Sequence, residues 1–312
     1  MMRPLIFIGT TNLDIICYSK ALPSVGQSLM GTIEEFGGGK GANQAVAAAR
    51  LGGAPYFATM LGEDNAADSL MNGLAKFGIQ TSKFCRKPGT TSGKALILVA
   101  PDGTNMMGID AGANEQFSPD DVLTALQDVP EDAVMVVEMG LPVETCRAAF
   151  ENKRDRFLIF NPAPVRAKLT TADCNLIDII TPNETEAEEL TGLQVSSVDQ
   201  AFDAAKCLHD SGISAVAITL GANGVVYLDA ARRIHQKAFP VDAVDTTAAG
   251  DAFNGALAVS IARRMEIEDS LCFAVATASL CVTRKGAQTS MPTEKEVRHF
   301  LAENGALKNA NF

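Results

Sequence analysis

Gly37-Gly38-Gly39-Lys40-Gly41-Ala42-Asn43-Gln44 leads directly into the small-residue run Ala45-Val46-Ala47-Ala48-Ala49, which reads as helix. Glycines ahead of a helix start let backbone N–H groups close on an anion, and the helix dipole favours negative charge at that end. A second run far along the chain repeats the device. Asp245-Thr246-Thr247-Ala248-Ala249-Gly250-Asp251 enters the helical pattern Ala252-Phe253-Asn254-Gly255-Ala256-Leu257 and carries a carboxylate, Asp251, at the electropositive terminus. An anion cradle beside a positioned base is equipment for phosphoryl transfer to a hydroxyl.

Outward from these runs, short apolar segments alternate with longer helical patterns. Strand candidates are 5–8, 56–61, 95–99, 134–137, 157–160, 177–180, 215–219 and 224–228; helical periods cover 66–77, 119–126, 143–152 and 198–210. This alternation predicts an α/β fold, a central mainly parallel sheet with helices on both faces. The final third reads as mostly helical, at 250–265, 270–282 and 294–303. Two stretches, 15–35 and 93–110, read instead as extended chain. Paired in space they predict a small β-sheet lid, formed by about 13–36 and 93–111, over the strand C-termini where α/β ligand sites lie. With no repeat, low-complexity tract or linker, 1–312 reads as a single domain carrying that lid.

The 312-residue chain is 47% hydrophobic, ample for a large core, and its net charge of −11 argues against a nucleic-acid partner. The densest basic run, Lys153-Arg154-Asp155-Arg156, reads as a solvated helix end. Leu5-Ile6-Phe7-Ile8-Gly9 is too short for a signal sequence or membrane span. Seven cysteines with no CxxC read as buried free thiols, which points to a reducing, cytoplasmic setting.

Each motif carries a structural alternative. The Gly37 run lacks the GxxxxGK[ST] spacing of a Walker loop and reads either as a tight turn or as a ligand cradle to which Lys40 and Asn43 add polar groups. Asn12 and Asp14 alternate after the first strand, so both point to one side; they are turn residues or hydrogen-bonding groups for sugar hydroxyls. Asp251 is either a helix cap or the base that takes a proton from an attacking hydroxyl. Asn183 and Glu186, three apart at a helix start, form a cap or reach metal-bound water. Thr219-Leu220-Gly221-Ala222-Asn223-Gly224 is a hairpin turn or a nucleotide contact. His209, His235 and His299 share no ligand spacing, and Met106-Met107 read as lid or core packing.

Together these segments resemble the ribokinase, or PfkB, family of sugar kinases over nearly the whole chain. Asn105-Met106-Met107-Gly108-Ile109-Asp110-Ala111-Gly112-Ala113-Asn114 is similar to the family's segment between lid and core, and Asn161-Pro162-Ala163-Pro164, Thr181-Pro182-Asn183-Glu184-Thr185-Glu186-Ala187-Glu188 and Val282-Thr283-Arg284-Lys285-Gly286-Ala287-Gln288 also match. The resemblance implies a helix-flanked sheet with a β lid, a homodimer through the lid, and ATP-dependent phosphorylation of the D-ribose 5-hydroxyl. By matching position it implies that Asn12, Asp14, Gly39, Lys40 and Asn43 hold the sugar. Asp251 would be the base, and Ala248, Ala249 and Gly250 the anion hole. Asn183, Thr219, Gly221 and Gly224 would face ATP, and Glu186 would support Mg2+. A monovalent cation, K+, would lie against Asp245, Thr247, Cys281, Arg284, Gly286 and Ser290, several through backbone carbonyls.

Two departures stand out. Gly140 occupies a position where the family usually has glutamate; Glu138 either substitutes for it or the sugar pocket differs. The second signature reads Thr-Ala-Ala-Gly, with alanine at Ala248 in place of the commoner glycine. Deoxyribose, fructose or a nucleoside such as adenosine are alternative acceptors, and a non-catalytic sugar-binding protein is the reading from another class.

Overall fold

The computed structural model describes residues 2–306, so the expected span 1–312 extends at Met1 and 307–312 beyond the described residues. The strands are β1 (Leu5–Ile8), β2 (Asn12–Ser19), β3 (Gly31–Gly38), β4 (Tyr56–Leu61), β5 (Phe84–Arg86), β6 (Gly93–Val99) and β7 (Asn105–Asp110). They continue with β8 (Val134–Glu138), β9 (Phe157–Asn161), β10 (Ile179–Ile180), β11 (Ala215–Thr219), β12 (Val225–Asp229) and β13 (Arg233–Gln236). The large sheet runs β13-β12-β11-β10-β9-β8-β1-β4-β5. It is parallel from β11 to β5 and ends in two antiparallel strands, β12 and β13.

The central strands are apolar on both faces because both are covered. Alternate residues divide between two cores. Leu5, Phe7, Val134 and Val136 pack with the helices Lys40–Arg50, Ala249–Ala262 and Ile267–Cys281. Ile6, Ile8, Met135 and Val137 pack with Pro119–Leu126, Val143–Glu151 and Val198–Asp210. A second sheet, β3-β2-β6-β7, stands apart from the first and matches the expected lid. Its pairing is antiparallel except between β2 and β6. Met106 and Met107 lie on β7 and are exposed, as are Ile33, Leu96 and Ile109.

Some sequence readings shift. The strand expected over 177–180 contracts to Ile179–Ile180, and β5, β13 and the short helix Thr171–Cys174 carry too few residues to show a period. The basic run is no solvated helix end. Arg156 is buried and donates to the carbonyls of Leu126 and Val129, tying down the chain after the Pro119–Leu126 helix. Lys153 pairs with Asp178 at 2.5 Å. Cys146, Cys174 and Cys281 are buried free thiols as expected, whereas Cys207 is exposed. Among the described residues no helix is long and apolar enough to cross a membrane.

One contact brings the two glycine-marked helix starts together. A Cβ on Gly255 would lie 2.6 Å from both Ala47 Cβ and Gln44 O, so the Lys40–Arg50 and Ala249–Ala262 helices touch nearly backbone to backbone. Replacing Gly255 by valine should therefore cost about 1–3 kcal/mol through overpacking, read as a lower denaturant midpoint at unchanged slope.

Candidate active site

The two helices that meet at Gly255 both begin without a side-chain cap, at Gly39 (φ 91°) and Ala248 (φ 61°), as do the helices after Pro142 and Glu266. Helices starting after Asp64, Ser118, Thr170, Asn183, Ser197 and Thr293 are closed by those side chains. The ends at Gly39 and Ala248 converge on one carboxylate. Asn43 Nδ2 donates to Asp251 Oδ2 at 3.1 Å, and Gln44 Nε2 donates to Asp251 Oδ1 at 3.1 Å. Burial holds the Asp251 carboxyl above the ordinary range, partly offset by nearby Lys40 and the two amides. A carboxylate raised in this way suits a general base. Ala248 pays a left-handed backbone strain of roughly 1–2 kcal/mol to turn the chain there.

Asn12 and Asp14 open β2 on one face, opposite Gly38 and Phe36 of β3. The glycines are sterically required. A Cβ on Gly38 would collide with the Asp14 carboxylate, and one on Gly39 would come within 2.6 Å of Thr11 Cα. Asn114 ties the lid base to this strand: Oδ1 accepts from Thr11 N at 3.2 Å, while Nδ2 donates to Thr11 O at 3.1 Å and to Asn12 Oδ1 at 2.9 Å. Asn12 Oδ1 is thereby occupied, which leaves its Nδ2 as the donor it offers.

Glu138 does not take the place of the missing glutamate. It is 1% exposed, with one oxygen accepting from Thr10 N and the other from Gly140 N at 2.6 Å. A Cβ on Gly140 would lie 2.6 Å from Glu138 Oε2, so a side chain at 140 would require this carboxylate to shift from its present bonds. Burial raises Glu138 above the usual carboxylate range.

On the far side of Asp251, the turn after β11 proves to be a hairpin turn that also lines a cavity. The cavity, of about 420 Å³, is bordered by Thr219, Gly221, Gly224, Ala249, Gly250 and Phe253. Asn183 bridges to Thr219, bringing that helix start to the same edge. Asn183 and Glu186 form a reciprocal capping box, each bond 2.9 Å, through Asn183 Oδ1 and Glu186 Oε2. Burial nevertheless raises Glu186.

The cation candidates gather beneath the Ala248 turn. Asp245 accepts from Thr247 N and Gly286 N, each at 2.9 Å. Burial alone would raise this carboxyl, but those bonds outweigh it and keep Asp245 below the ordinary range. Cys281 Sγ lies 3.0 Å from Ser290 Oγ, and the Arg284 guanidinium turns away to Glu296 at 2.7 Å. Among the described residues no group of three or more His, Cys, Asp or Glu clusters as a metal site. The histidines stay out: His209 and His235 bond to the carbonyls of Ile213 and Asn223, and His299 pairs with Glu303.

Sequence reading missed Gln44, Asn114, Asn161, Thr181 and Asn254, all buried polar side chains around the site. The signal at Asn161 and Thr181 was a polar residue closing an apolar run, which is weak without a partner in view.

The model of the pfkB family carbohydrate kinases matches residues 2–294. A ribokinase of Haemophilus influenzae is 36% identical over 304 residues, 96% of this chain and 99% of that protein. A deoxyribokinase of Salmonella typhi is also 36% identical, over 95% of this chain and 98% of its own length. Among solved structures, Thermotoga maritima ribokinase superposes with a TM-score of 0.87 at 33% identity, covering 96% of this chain and 99% of that one. Arabidopsis thaliana ribokinase complexed with ribose and ATP gives 0.87 at 31% identity, with the same coverage of 96% and 99%.

Asp14 supplies a pH test. Burial pushes its carboxyl from 3.8 up to about 6, so the folded state binds the proton more tightly than the unfolded chain. Stability should fall as pH rises between these two values. Asp14→Asn should raise the thermal midpoint at pH 8 and leave it nearly unchanged at pH 3.5, as differential scanning fluorimetry would show.

Proposed function

This chain belongs to the pfkB family of carbohydrate kinases, and from that premise we propose that it phosphorylates D-ribose at the 5-hydroxyl, using ATP and releasing ADP. The observation that carries the reading is Asp251, buried where two uncapped helix N-termini converge. Asn12, Asp14, Gly39, Lys40 and Asn43 hold the sugar. Asp14 accepts hydroxyl protons, Asn12 donates through Nδ2, and Asn43 Oδ1, which has no hydrogen-bond partner among the described residues, accepts from a hydroxyl. Asp251 takes the proton of the attacking hydroxyl as its oxygen bonds to the γ-phosphorus and the bond to the β-phosphate oxygen breaks. The N–H groups at Ala248, Ala249 and Gly250 stabilise charge on the transferring phosphoryl.

Thr219, Gly221 and Gly224 border the ATP cavity, and Asn183, bridged to Thr219, faces ATP from its edge. Mg2+ fits beside Glu186, whose Oε2 is engaged in the cap and whose Oε1 is left for a metal-bound water; bound there, it neutralises phosphate charge. K+ fits the hard oxygens of Asp245, Ser290 and the backbone carbonyls at Thr247, Cys281, Arg284 and Gly286. The Arg284 guanidinium is committed elsewhere, so that residue contributes only its carbonyl. Such an ion orders the Ala248 turn. The β2, β3, β6 and β7 sheet is the lid of a single domain over 1–312, its exposed apolar side chains pair two lids in a homodimer, and the protein works in the cytoplasm.

A second acceptor, 2-deoxyribose, is favoured by the deoxyribokinase likeness and by Gly140, which offers no side chain to the pocket. A coupled ADP-release assay over ribose, 2-deoxyribose, fructose and adenosine separates these readings, with ribose expected to give the highest kcat/KM. Rates should rise when potassium replaces sodium; equal rates would count against the cation site. Asp251→Asn should lower kcat by about 10²–10⁴-fold, and near-normal turnover would remove the proposed base.

A further inference from the structure

Asp251 is held from behind by a closed ring of buried polar groups. Gln44 Nε2 bridges Asp251 Oδ1 at 3.1 Å and Asn161 Oδ1 at 3.0 Å. Asn161 Nδ2 donates to Thr181 O at 2.9 Å, and Thr181 Oγ1 donates to Asn254 Oδ1 at 2.7 Å. Asn254 Nδ2 returns to Gly250 O at 2.9 Å, the residue before Asp251. The ring draws on the Lys40–Arg50 helix, the C-terminal end of β9, the loop after β10 and the Ala249–Ala262 helix. Gln44 is 0% exposed, and Thr181 and Asn254 are each 2% exposed.

Polar side chains in such a place cost several kcal/mol unless they are bonded to one another. Apart from a second, 3.3 Å contact from Thr181 Oγ1 to Phe160 O, their bonds outside the ring run to the carboxylate of Asp251 and the carbonyl of Gly250 in the anion-binding turn. We propose that Gln44, Asn161, Thr181 and Asn254 are positioning residues that fix the base and the phosphoryl-binding turn as one rigid unit. The inference rests on the kinase reading of Asp251. Thr181 and Asn161 act without touching Asp251. Their effect passes through Gln44 on one side and Asn254 on the other.

The ring also favours the ionised carboxylate, because Gln44 donates to it. Lys40, Glu186 and Cys281 are the other titratable groups facing Asp251, and the variants below leave them in place.

The test compares Gln44→Met, Thr181→Val and Thr181→Ser. In the ligand-free protein the Asp251 side-chain carboxyl is titrated by carbon-13 NMR, its signal assigned by loss in Asp251→Asn. Gln44→Met should raise the midpoint by roughly one pH unit, the effect of a lost donor to a charged group. Thr181→Val should raise it by a smaller step, and Thr181→Ser, which keeps the hydroxyl, should match the wild type. In the ADP-release assay, kcat should fall about tenfold in Gln44→Met and about threefold in Thr181→Val, with both KM values held within about twofold. A wild-type titration and kcat in Thr181→Val would overturn the ring, whatever happens to its melting temperature. That variant is nearly isosteric, so it decides the matter even if Gln44→Met does not fold. Full turnover in Asp251→Asn would instead overturn the kinase reading, while the titration would still report on the ring.

Discussion

The fold is organised around one carboxylate shared by two helix starts. Asp251 receives Asn43 and Gln44 from the Lys40–Arg50 helix while standing in the first turn of the Ala249–Ala262 helix. Two positive helix ends brought together repel unless negative charge lies between them. Backbone approach at Gly255 brings the helices together, and the small residues Ala42, Ala45 and Ala47 allow it. Close approach also continues into the sheet, because a Cβ on Gly41 would lie 2.6 Å from Gly9 Cα. The cradle is therefore a consequence of packing: no side chain at Gly39 or Ala248 caps the helix starts, where Ala42 N donates to Thr10 O at 3.0 Å and Ala249 N to Thr246 O at 3.3 Å.

Around that centre the protein buries acid in excess. Asp14, Glu138, Glu186 and Asp251 are all raised by burial, and Lys40 is the cation that acts on the last three. Each desolvated carboxylate costs several kcal/mol before its partners are counted. Glu138 recovers part of that cost internally, from Thr10 and Gly140. Asp14 does not, and its burial is the sole cause of its shift. The two acids therefore differ in kind: Glu138 is bonded to backbone N–H groups, while desolvation acts on Asp14 without such an offset.

Parts of this arrangement were legible in one dimension. Strand β1, β4 and β11 and the Pro119–Leu126, Val198–Asp210 and Glu294–Glu303 helices fall where periodicity put them, because their apolar runs are long and their caps are local. Asn12 and Asp14 announced themselves by alternating after the first strand, and Asn43 and Asp251 as polar residues in the glycine-marked helix starts. Arg156 did not, since its partners, the carbonyls of Leu126 and Val129, come from a loop that sequence spacing does not place beside it.

By itself, the sequence determined the alternation of strands and helices, the two glycine-marked helix starts and the carboxylate at the second. These are local properties, set by side-chain period and by backbone freedom at glycine. Only the tertiary structure decided that the two starts face each other, that Glu138 is consumed by backbone N–H groups, and that Gln44, Asn161, Thr181 and Asn254 close into a ring. Those outcomes depend on atoms up to 208 residues apart meeting within hydrogen-bonding distance, as Asn43 and Asp251 do. Such encounters are fixed by how the helices pack on the sheet, which no local pattern encodes.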